Sequence, residues 1–310
     1  MRVRRLVIAA LAVAAGASDA LAQKPRAEHL GARIEGTRGP HNPSSDVAGV
    51  EVGHTTLISG SGRLVVGKGP VRTGVTVVHP RGKGNQDPVF GAWFTLNGNG
   101  EMTGTTWLEE SGILEGPVAI TNTHSVGVVR DAILQWQVRR PGLQPWGLPV
   151  VAETYDGGLN DINGFHVTAE HTIAALDGAS SGRVQEGSVG GGTGMVCFGF
   201  KGGIGTASRK LGAAEGGYTV GVLVQCNFGA RRDLSVAGVP VGQEVSDQAL
   251  LPCAANSDTS VRRGLRRCAG FAAAPAPGRS EFEEGGASIS VVLATDAPLL
   301  PHQLKRVATR

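Results

Sequence analysis

The sequence is poor in charged residues, and it has no long hydrophobic run beyond its first 22 residues. Charged residues make up 18% of the 310 positions and the net charge is +3, so the chain lacks the basic surface that nucleic-acid binding requires. No later apolar segment approaches the length of about 18 residues that a membrane-spanning helix needs. The apolar fraction of 41% is too high for a disordered chain. We therefore expect a folded protein that binds neither nucleic acid nor membrane once its leader has been removed.

The common motifs for metals and nucleotides are also absent. The four cysteines form no C-x-x-C pair, which argues against a zinc ribbon or a thioredoxin-like site. Gly190–Gly194 is followed by neither G-K-[ST] nor the G-x-G-x-x-G pattern, so it predicts tight turns and close backbone approach instead of a phosphate loop. His166 and His171 are five residues apart and do not share a helix face. The sequence predicts no metal and no cofactor.

Glycine is unusually abundant, with 48 residues, roughly twice its ordinary share. It separates short apolar runs rich in β-branched residues, for example Gly74–His79, Val118–Thr121 and Thr219–Val224. The continuous apolar character of several of these runs indicates strands that are buried on both faces. Helices are predicted over 126–136 and 163–176. This mixture indicates a layered α/β or α+β domain.

The first 22 residues have the pattern of a secretory signal peptide. Three arginines at positions 2, 4 and 5 precede an apolar run over Leu6–Ala17, and Ala20–Ala22 provides an A-x-A cleavage site before Gln23. The leader carries these arginines and Asp19, a net +2, which leaves the remaining chain near +1. We expect an exported protein, periplasmic in a Gram-negative host or secreted.

After the leader, the sequence predicts a polar lead-in over 23–45 and one domain over 46–310. Within that domain, residues 251–287 are rich in Ala, Pro and Arg and indicate an exposed linker. Cys253 and Cys268 in the linker are either disulfide-bonded, in an oxidising compartment, or free thiols. Cys197 and Cys226 lie in apolar runs and are interpreted as small core residues.

A β-type run, Ser288–Ala294, begins immediately after the linker, and Asp296 is predicted to be the N-cap of a final helix. A serine that starts a strand after a linker is typical of N-terminal-nucleophile enzymes. In these enzymes, cleavage before the serine frees an α-amine that acts as its general base. The pKa of an α-amine is about 7.7–8.0, so much of it is neutral at physiological pH. A serine at this position also has a purely structural interpretation.

Seven longer runs resemble the DmpA-type aminopeptidase family, which includes the L-aminopeptidase D-esterase/amidases and the β-peptidyl aminopeptidases. The runs are LNGNGEMTG (Leu96–Gly104), ITNTHSVGVVRDA (Ile120–Ala132), ETYDGGLNDING (Glu153–Gly164), GSVGGGTGMVC (Gly187–Cys197), FKGGIGTASR (Phe200–Arg209), VQCNFGARRDL (Val224–Leu234) and SISVVLATDAPLLPHQL (Ser288–Leu304). The resemblance implies a four-layer αββα sandwich and a precursor that cleaves itself between Ala287 and Ser288. The implied activity is that of a serine aminopeptidase acting on peptides, amides or esters with a free amino group. We also expect a homo-oligomer.

The resemblance also implies roles for individual residues. Ser288 would be the nucleophile, Asn227 an oxyanion donor, Tyr155 a group near the reaction centre and Glu153 the acceptor of the substrate ammonium. Asn227 also suits a turn after a strand, and Tyr155 a core position. Glu153 and Tyr155 would face the same side if their stretch is a strand. His124 either lines the site or has a structural hydrogen-bonding role.

Three features depart from the family pattern. Ala287 stands where the family commonly has Gly or Asn, the linker is long, and the sequence ends at Arg310, before a further serine and an acidic residue of the family. The sandwich is therefore expected to be incomplete at its C-terminus. The alternative function is that of an inactive homologue that persists as a single-chain, non-enzymatic binding protein.

Overall fold

The computed structural model describes Arg26, His29, Gly31 and residues 34–85, 87–140, 146–245 and 288–310. The predicted signal peptide and the linker over 251–287, with its cysteines Cys253 and Cys268, lie outside the described residues. The strands and helices described below belong to one compact unit, which runs from Glu35 to Arg310.

The described residues form strands and helices in mixed order. The strands are β1 (Glu51–Ser59), β2 (Val71–His79), β3 (Val89–Phe90), β4 (Ile113–Leu114), β5 (Val118–Asn122), β6 (Val150–Thr154), β7 (Val196–Cys197), β8 (Phe200–Lys201), β9 (Gly203–Lys210), β10 (Thr219–Asn227) and β11 (Ser288–Thr295). The α-helices are α1 (Thr105–Ser111), α2 (Val126–Val138), α3 (Ala169–Asp177), α4 (Val241–Glu244) and α5 (Pro301–Ala308). Among the described residues, no helix has the length and apolar character needed to cross a bilayer.

The first sheet has the strand order β1-β2-β5-β6, and only its β5–β6 pair is parallel. Parallel neighbours need a crossover connection, and α2 lies in the chain between β5 and β6. The carboxyl ends of β5 and β6 therefore meet at one edge of the sheet, where Asn122 is paired with Thr154. Crevices outside such strand ends are common ligand sites in α/β proteins.

The second sheet is antiparallel, with β10 between β9 and β11. Its register places Asn227, the last residue of β10, directly opposite Ser288, the first residue of β11. Side chains of directly opposed residues point to the same face of a sheet, about 5 Å apart at Cβ. The strand register therefore brings these two predicted site residues together.

Two apolar clusters join the layers. Helices α2 and α3 pack on one face of the first sheet, through Ile133, Leu176 and Val77 among others. The second sheet packs on the opposite face, where Val78 and Ile120 meet Leu223. Strands β2 and β5 are thus buried on both faces, as predicted. The α/β fold class is confirmed, and the described residues supply an α–β–β part of the predicted sandwich.

The outer face of the second sheet carries exposed apolar side chains. Ile289, Val291 and Leu293 alternate along β11 and are 39%, 46% and 41% exposed. Ser290, between the first two, is buried. The even-numbered residues of β11 therefore face the first sheet, and Ser288 is one of them.

Two local predictions are wrong. Asp296 does not cap a helix, because its Oδ1 accepts a hydrogen bond from the Thr219 backbone N–H at 2.7 Å and α5 begins only at Pro301. The predicted helix over 163–176 begins at Ala169, because Phe165 adopts a left-handed backbone conformation with φ of 51°. Apolar spacing continues through both places and does not reveal these interruptions.

The polar lead-in packs against the second sheet where it is described. Thr37 pairs with Lys210 of β9, and the Ser44 backbone N–H donates to Thr206 Oγ1 at 2.7 Å. The described residues from Glu35 onward therefore belong to the folded unit.

A buried carboxyl group, that of Asp156, follows β6 by two residues. Its side chain is fully buried, and its Oδ1 accepts a hydrogen bond from Asn160 Nδ2 at 3.0 Å. Burial raises the pKa of Asp156 to about 6, and hydrogen bonds from Thr73, Asn160 and Asn122 oppose part of this rise. The native protein therefore holds this proton more tightly than the unfolded chain does.

We expect Asp156→Asn to remove a pH-dependent loss of stability. Because the native pKa is raised, the contribution of Asp156 is fully present below pH 4 and is lost as the pH rises to about 6. The variant should gain up to roughly 3 kcal/mol of unfolding free energy relative to wild type at pH 8, and little at pH 4. Urea denaturation at both pH values measures this. Asp131→Asn, whose side chain is 68% exposed, is the control, and an equal effect of the two substitutions would contradict the expectation.

Candidate active site

The centre of the site is the pair Ser288 and Asn227 at the edge of the second sheet. Asn227 Nδ2 donates a hydrogen bond to Ser288 Oγ at 3.0 Å. Both residues are half-buried, and they face the first sheet. The Asn227 side-chain N–H thus points at the Ser288 hydroxyl oxygen.

The Asn227 amide is fixed by two further hydrogen bonds. Its Oδ1 accepts from the Val196 backbone N–H at 2.9 Å, and its Nδ2 donates to the Tyr155 carbonyl oxygen at 2.9 Å. An asparagine amide can be turned end for end with little change of shape, and its hydrogen-bond partners decide which end points where. Here the backbone N–H of Val196 holds the oxygen, so the NH₂ group faces Ser288.

Tyr155 reaches this pair through its backbone carbonyl. It follows β6, which ends at Thr154, and its side chain is 50% exposed. The phenol of Tyr155 lies against the backbone of Gly157. A Cβ atom built on Gly157 would be only 2.3 Å from Tyr155 Oη. The alternative of a core tyrosine is therefore wrong. The expectation that Glu153 and Tyr155 share a strand face does not apply, because the strand stops between them.

Glu153 lies deeper, and only 8% of it is exposed. Its Oε1 accepts from the Glu101 backbone N–H at 3.1 Å, and its Oε2 accepts from the Thr123 hydroxyl. No cation among the described residues forms an ion pair with it. Buried carboxylates are costly unless they are paired, so a positive group arriving at this point would relieve that cost.

Buried polar side chains attach the second sheet to the ends of β5 and β6. Gln225 donates from Nε2 to the Thr121 carbonyl oxygen at 3.2 Å and to Thr154 Oγ1 at 2.8 Å. Ser290 donates from its hydroxyl to the Glu153 carbonyl oxygen at 3.3 Å. These hydrogen bonds fix the position of the second sheet, at the edge that carries Ser288, relative to the end of β6 in the first sheet, which carries Glu153.

The prediction of close backbone approach in the glycine-rich run is confirmed at Gly191. A Cβ at this position would lie 2.4 Å from Gln225 Oε1 and 2.6 Å from the Ile120 carbonyl oxygen. Glycine is thus required for the two sheets to approach each other here.

A disulfide bond between Cys197 and Cys226 corrects the interpretation of these cysteines as core residues. The two residues are half-buried, and their Cα atoms are 5.7 Å apart. The apolar neighbours of each cysteine suggested burial, and their separation of 29 residues gave no pairing signal. Both lie in runs that carried the resemblance, Cys197 at the end of GSVGGGTGMVC and Cys226 as the third residue of VQCNFGARRDL.

The histidines have local roles. His124 stacks on the ring of Phe165, with centroids 5.7 Å apart, and His166 Nε2 is 2.8 Å from Asp161 Oδ2. Within the described ranges, no group of three His, Cys, Asp or Glu side chains is close enough together to hold a metal ion.

The arrangement provides several elements of acyl transfer. The Ser288 hydroxyl can serve as a nucleophile, the Asn227 N–H can stabilise the charge that develops on a carbonyl oxygen beside it, and Glu153 can accept an ammonium group. Ala287 lies outside the described residues. The structure thus brings Ser288, Asn227 and the Tyr155 backbone together and places Glu153 in the neighbouring strand layer.

Comparison with known proteins agrees with this chemistry. The model of Peptidase family S58 matches residues 42–310. The β-peptidyl aminopeptidase BapA of Sphingosinicella microcystinivorans is 56% identical over 306 residues, which are 98% of this chain and 72% of that protein. The β-peptidyl aminopeptidase BapA of Sphingosinicella xenopeptidilytica is 48% identical over 307 residues, with the same two shares.

Solved structures with the same fold include two aminopeptidases. The β-aminopeptidase of Burkholderia sp. has a TM-score of 0.73 at 47% identity, covering 91% of this chain and 70% of that one. The L-aminopeptidase D-Ala-esterase/amidase of Ochrobactrum anthropi has a TM-score of 0.75 at 44% identity, covering 92% and 71%. That protein is described as a prototype of the serine aminopeptidases and as a variant of the Ntn-hydrolase fold. The chain belongs to peptidase family S58 and is a serine-type aminopeptidase of the N-terminal-nucleophile class.

Proposed function

We propose that the protein is an exported aminopeptidase whose precursor cleaves itself between Ala287 and Ser288. Ser288 then acts as the nucleophile on peptides, amides or esters that have a free amino group. The observation that carries the proposal is the 3.0 Å hydrogen bond between Asn227 Nδ2 and Ser288 Oγ at the first residue of β11.

In self-cleavage, Ser288 Oγ attacks the carbonyl carbon of Ala287. The C–N bond to Ser288 breaks as the ester to Oγ forms, and the proton lost by the hydroxyl accompanies the released amine. Water then hydrolyses the ester, which frees the Ala287 carboxylate and regenerates the hydroxyl. The Asn227 N–H that reaches Ser288 Oγ supports the charge on the tetrahedral oxygen in each step.

In turnover, the new α-amine of Ser288 is the general base, since the pKa of such an amine is about 7.7–8.0. It takes the proton from Oγ as this oxygen attacks the substrate carbonyl, and it returns the proton to the leaving amine. The acyl group is then carried on Oγ until water releases it. Tyr155 contributes through its carbonyl oxygen, which orients the Asn227 amide.

Glu153 is proposed to receive the substrate ammonium. Its carboxylate is buried and has no cationic partner among the described residues. Oε1 accepts a hydrogen bond from the Glu101 N–H, and Oε2 accepts one from the Thr123 hydroxyl. A carboxylate oxygen can accept more than one hydrogen bond, so capacity remains for an ammonium group. This contact would make a free amino terminus a requirement.

A β-amino-acid residue at the substrate N-terminus is supported by the names of the two Sphingosinicella relatives. The relative from Ochrobactrum anthropi is instead named for L-amino-acid and D-alanine derivatives. A β-alanyl p-nitroanilide, compared with L-alanyl p-nitroanilide, is therefore the first substrate pair to assay.

Export is supported by the leader over residues 1–22 and by the disulfide between Cys197 and Cys226. Disulfide bonds persist mainly in oxidising compartments such as the periplasm.

We expect Ser288→Ala to remain a single chain, because one hydroxyl is required for cleavage. In the wild type, N-terminal sequencing should read Ser-Ile-Ser-Val-Val for the smaller fragment and should begin at Gln23 for the larger one. Ser59→Ala, at the exposed end of β1, is the control and should still cleave. A fragment that begins elsewhere, or cleavage in Ser288→Ala, would refute the assignment.

Asn227→Ala should lower kcat by about 10²- to 10³-fold, the usual effect of losing one oxyanion donor. Steady-state hydrolysis of the p-nitroanilide measures it. Asn85→Ala, in an exposed loop, is the matched control. An unchanged kcat in the Asn227 variant would show that the oxyanion donors are elsewhere.

Glu153→Gln should raise KM by about 10- to 100-fold, because a charge-assisted hydrogen bond to the substrate ammonium is lost. N-acetylated substrates should be poor for the wild type for the same reason. Glu101→Gln keeps the backbone N–H that binds Glu153 and serves as the control. Efficient hydrolysis of blocked peptides by the wild type would argue against the ammonium contact.

A further inference from the structure

The disulfide bond between Cys197 and Cys226 joins the two segments that hold the Asn227 amide. Cys226 immediately precedes Asn227 in β10. Cys197 immediately follows Val196, whose backbone N–H donates to Asn227 Oδ1 at 2.9 Å. The covalent link is therefore one residue away from each partner of this hydrogen bond.

Few other interactions tie β7 to β10. Strand β7 has two residues and pairs with β8, outside the ladder of the second sheet. After β7, the Phe198 backbone N–H donates to the Phe228 carbonyl oxygen at 2.7 Å, the rings of these two residues are in contact, and Arg231 Nη2 donates to the Gly199 carbonyl oxygen at 2.7 Å. Directly between β7 and β10, the structure shows the hydrogen bond from the Val196 N–H to Asn227 and the disulfide, and the disulfide is the covalent one of the two.

The position of Val196 decides which end of the Asn227 amide faces Ser288. If its N–H withdraws, Oδ1 loses its donor, and the amide is free to turn its oxygen toward Ser288 Oγ. An oxygen at that place would repel the charge that develops on the substrate carbonyl, whereas the NH₂ group stabilises it. If the Asn227 amide lost its orientation, kcat would therefore fall more than substrate binding at Glu153 would weaken.

We propose that the Cys197–Cys226 disulfide is a positioning crosslink that keeps the Asn227 amide directed at Ser288, so that full catalytic rate requires the oxidised protein. The proposal rests on the proposed function of Asn227 as an oxyanion donor. Dithiothreitol reverses the crosslink by taking both sulfur atoms to thiols while it closes to its own cyclic disulfide. The redox state of this one bond then sets kcat.

The test is steady-state kinetics of the mature protein before and after dithiothreitol treatment, with alkylation and mass mapping to show that Cys197 and Cys226 have been reduced. We expect kcat to fall by about 10- to 100-fold, as for a misplaced catalytic group, with KM within about twofold. The double variant Cys197→Ser with Cys226→Ser should have this lower kcat from the start and should not respond to dithiothreitol. The double variant Cys253→Ser with Cys268→Ser is the control and should respond as the wild type does.

The Asn227→Ala background separates positioning from general stabilisation. Reduction should not lower kcat further in that background, because the group that the crosslink positions is absent. The crosslink proposal would be overturned if the wild type kept its kcat after both sulfurs had been reduced and alkylated. It would also be overturned if reduction abolished the native circular dichroism spectrum at every assay temperature, because the disulfide would then stabilise the whole fold and not the Asn227 amide alone. If Asn227→Ala itself leaves kcat unchanged, the proposed function fails first, and the two failures are therefore distinguishable.

Discussion

The side-chain amide of Asn227 is the interaction on which the site depends. Its three hydrogen bonds reach Val196 in β7, Tyr155 after β6 and Ser288 at the start of β11. One planar group thus joins both sheets and a separate hairpin at a single point. Because both amide hydrogens and the oxygen are engaged, the orientation of the donor toward the serine is determined before any substrate arrives.

The sheet topology brings these three segments to one place. The β5–α2–β6 crossover leaves the carboxyl ends of two parallel strands at the same edge, and the β10–β11 register leaves Asn227 opposite Ser288. Buried hydrogen bonds from Gln225 and Ser290 hold the two edges together. Burial of Glu153 follows from this packing, and the same packing makes it a suitable acceptor for a positively charged group.

The fold class and the strands around the site could be predicted from the sequence, because apolar runs between glycines mark strands, of which β2, β5 and β6 are buried on both faces. The resemblance assigned Ser288 and Asn227 to one site, and the structure shows them paired across two strands, although no periodicity indicates that residues 61 positions apart are paired. The disulfide, the end of β6 before Tyr155 and the role of Asp296 were not predictable. They depend on which segments meet in three dimensions, and local spacing carries no information on that.

The central claim is that Ser288 Oγ is the nucleophile, and covalent labelling tests it most directly. The mature protein should be inactivated by 4-(2-aminoethyl)benzenesulfonyl fluoride, a serine-directed reagent with a free amine, and mass mapping should place one sulfonyl group on the peptide that begins at Ser288. The fraction of activity lost should equal the fraction of Ser288 labelled. Inactivation with the label on another side chain, or full activity with Ser288 completely labelled, would contradict the account.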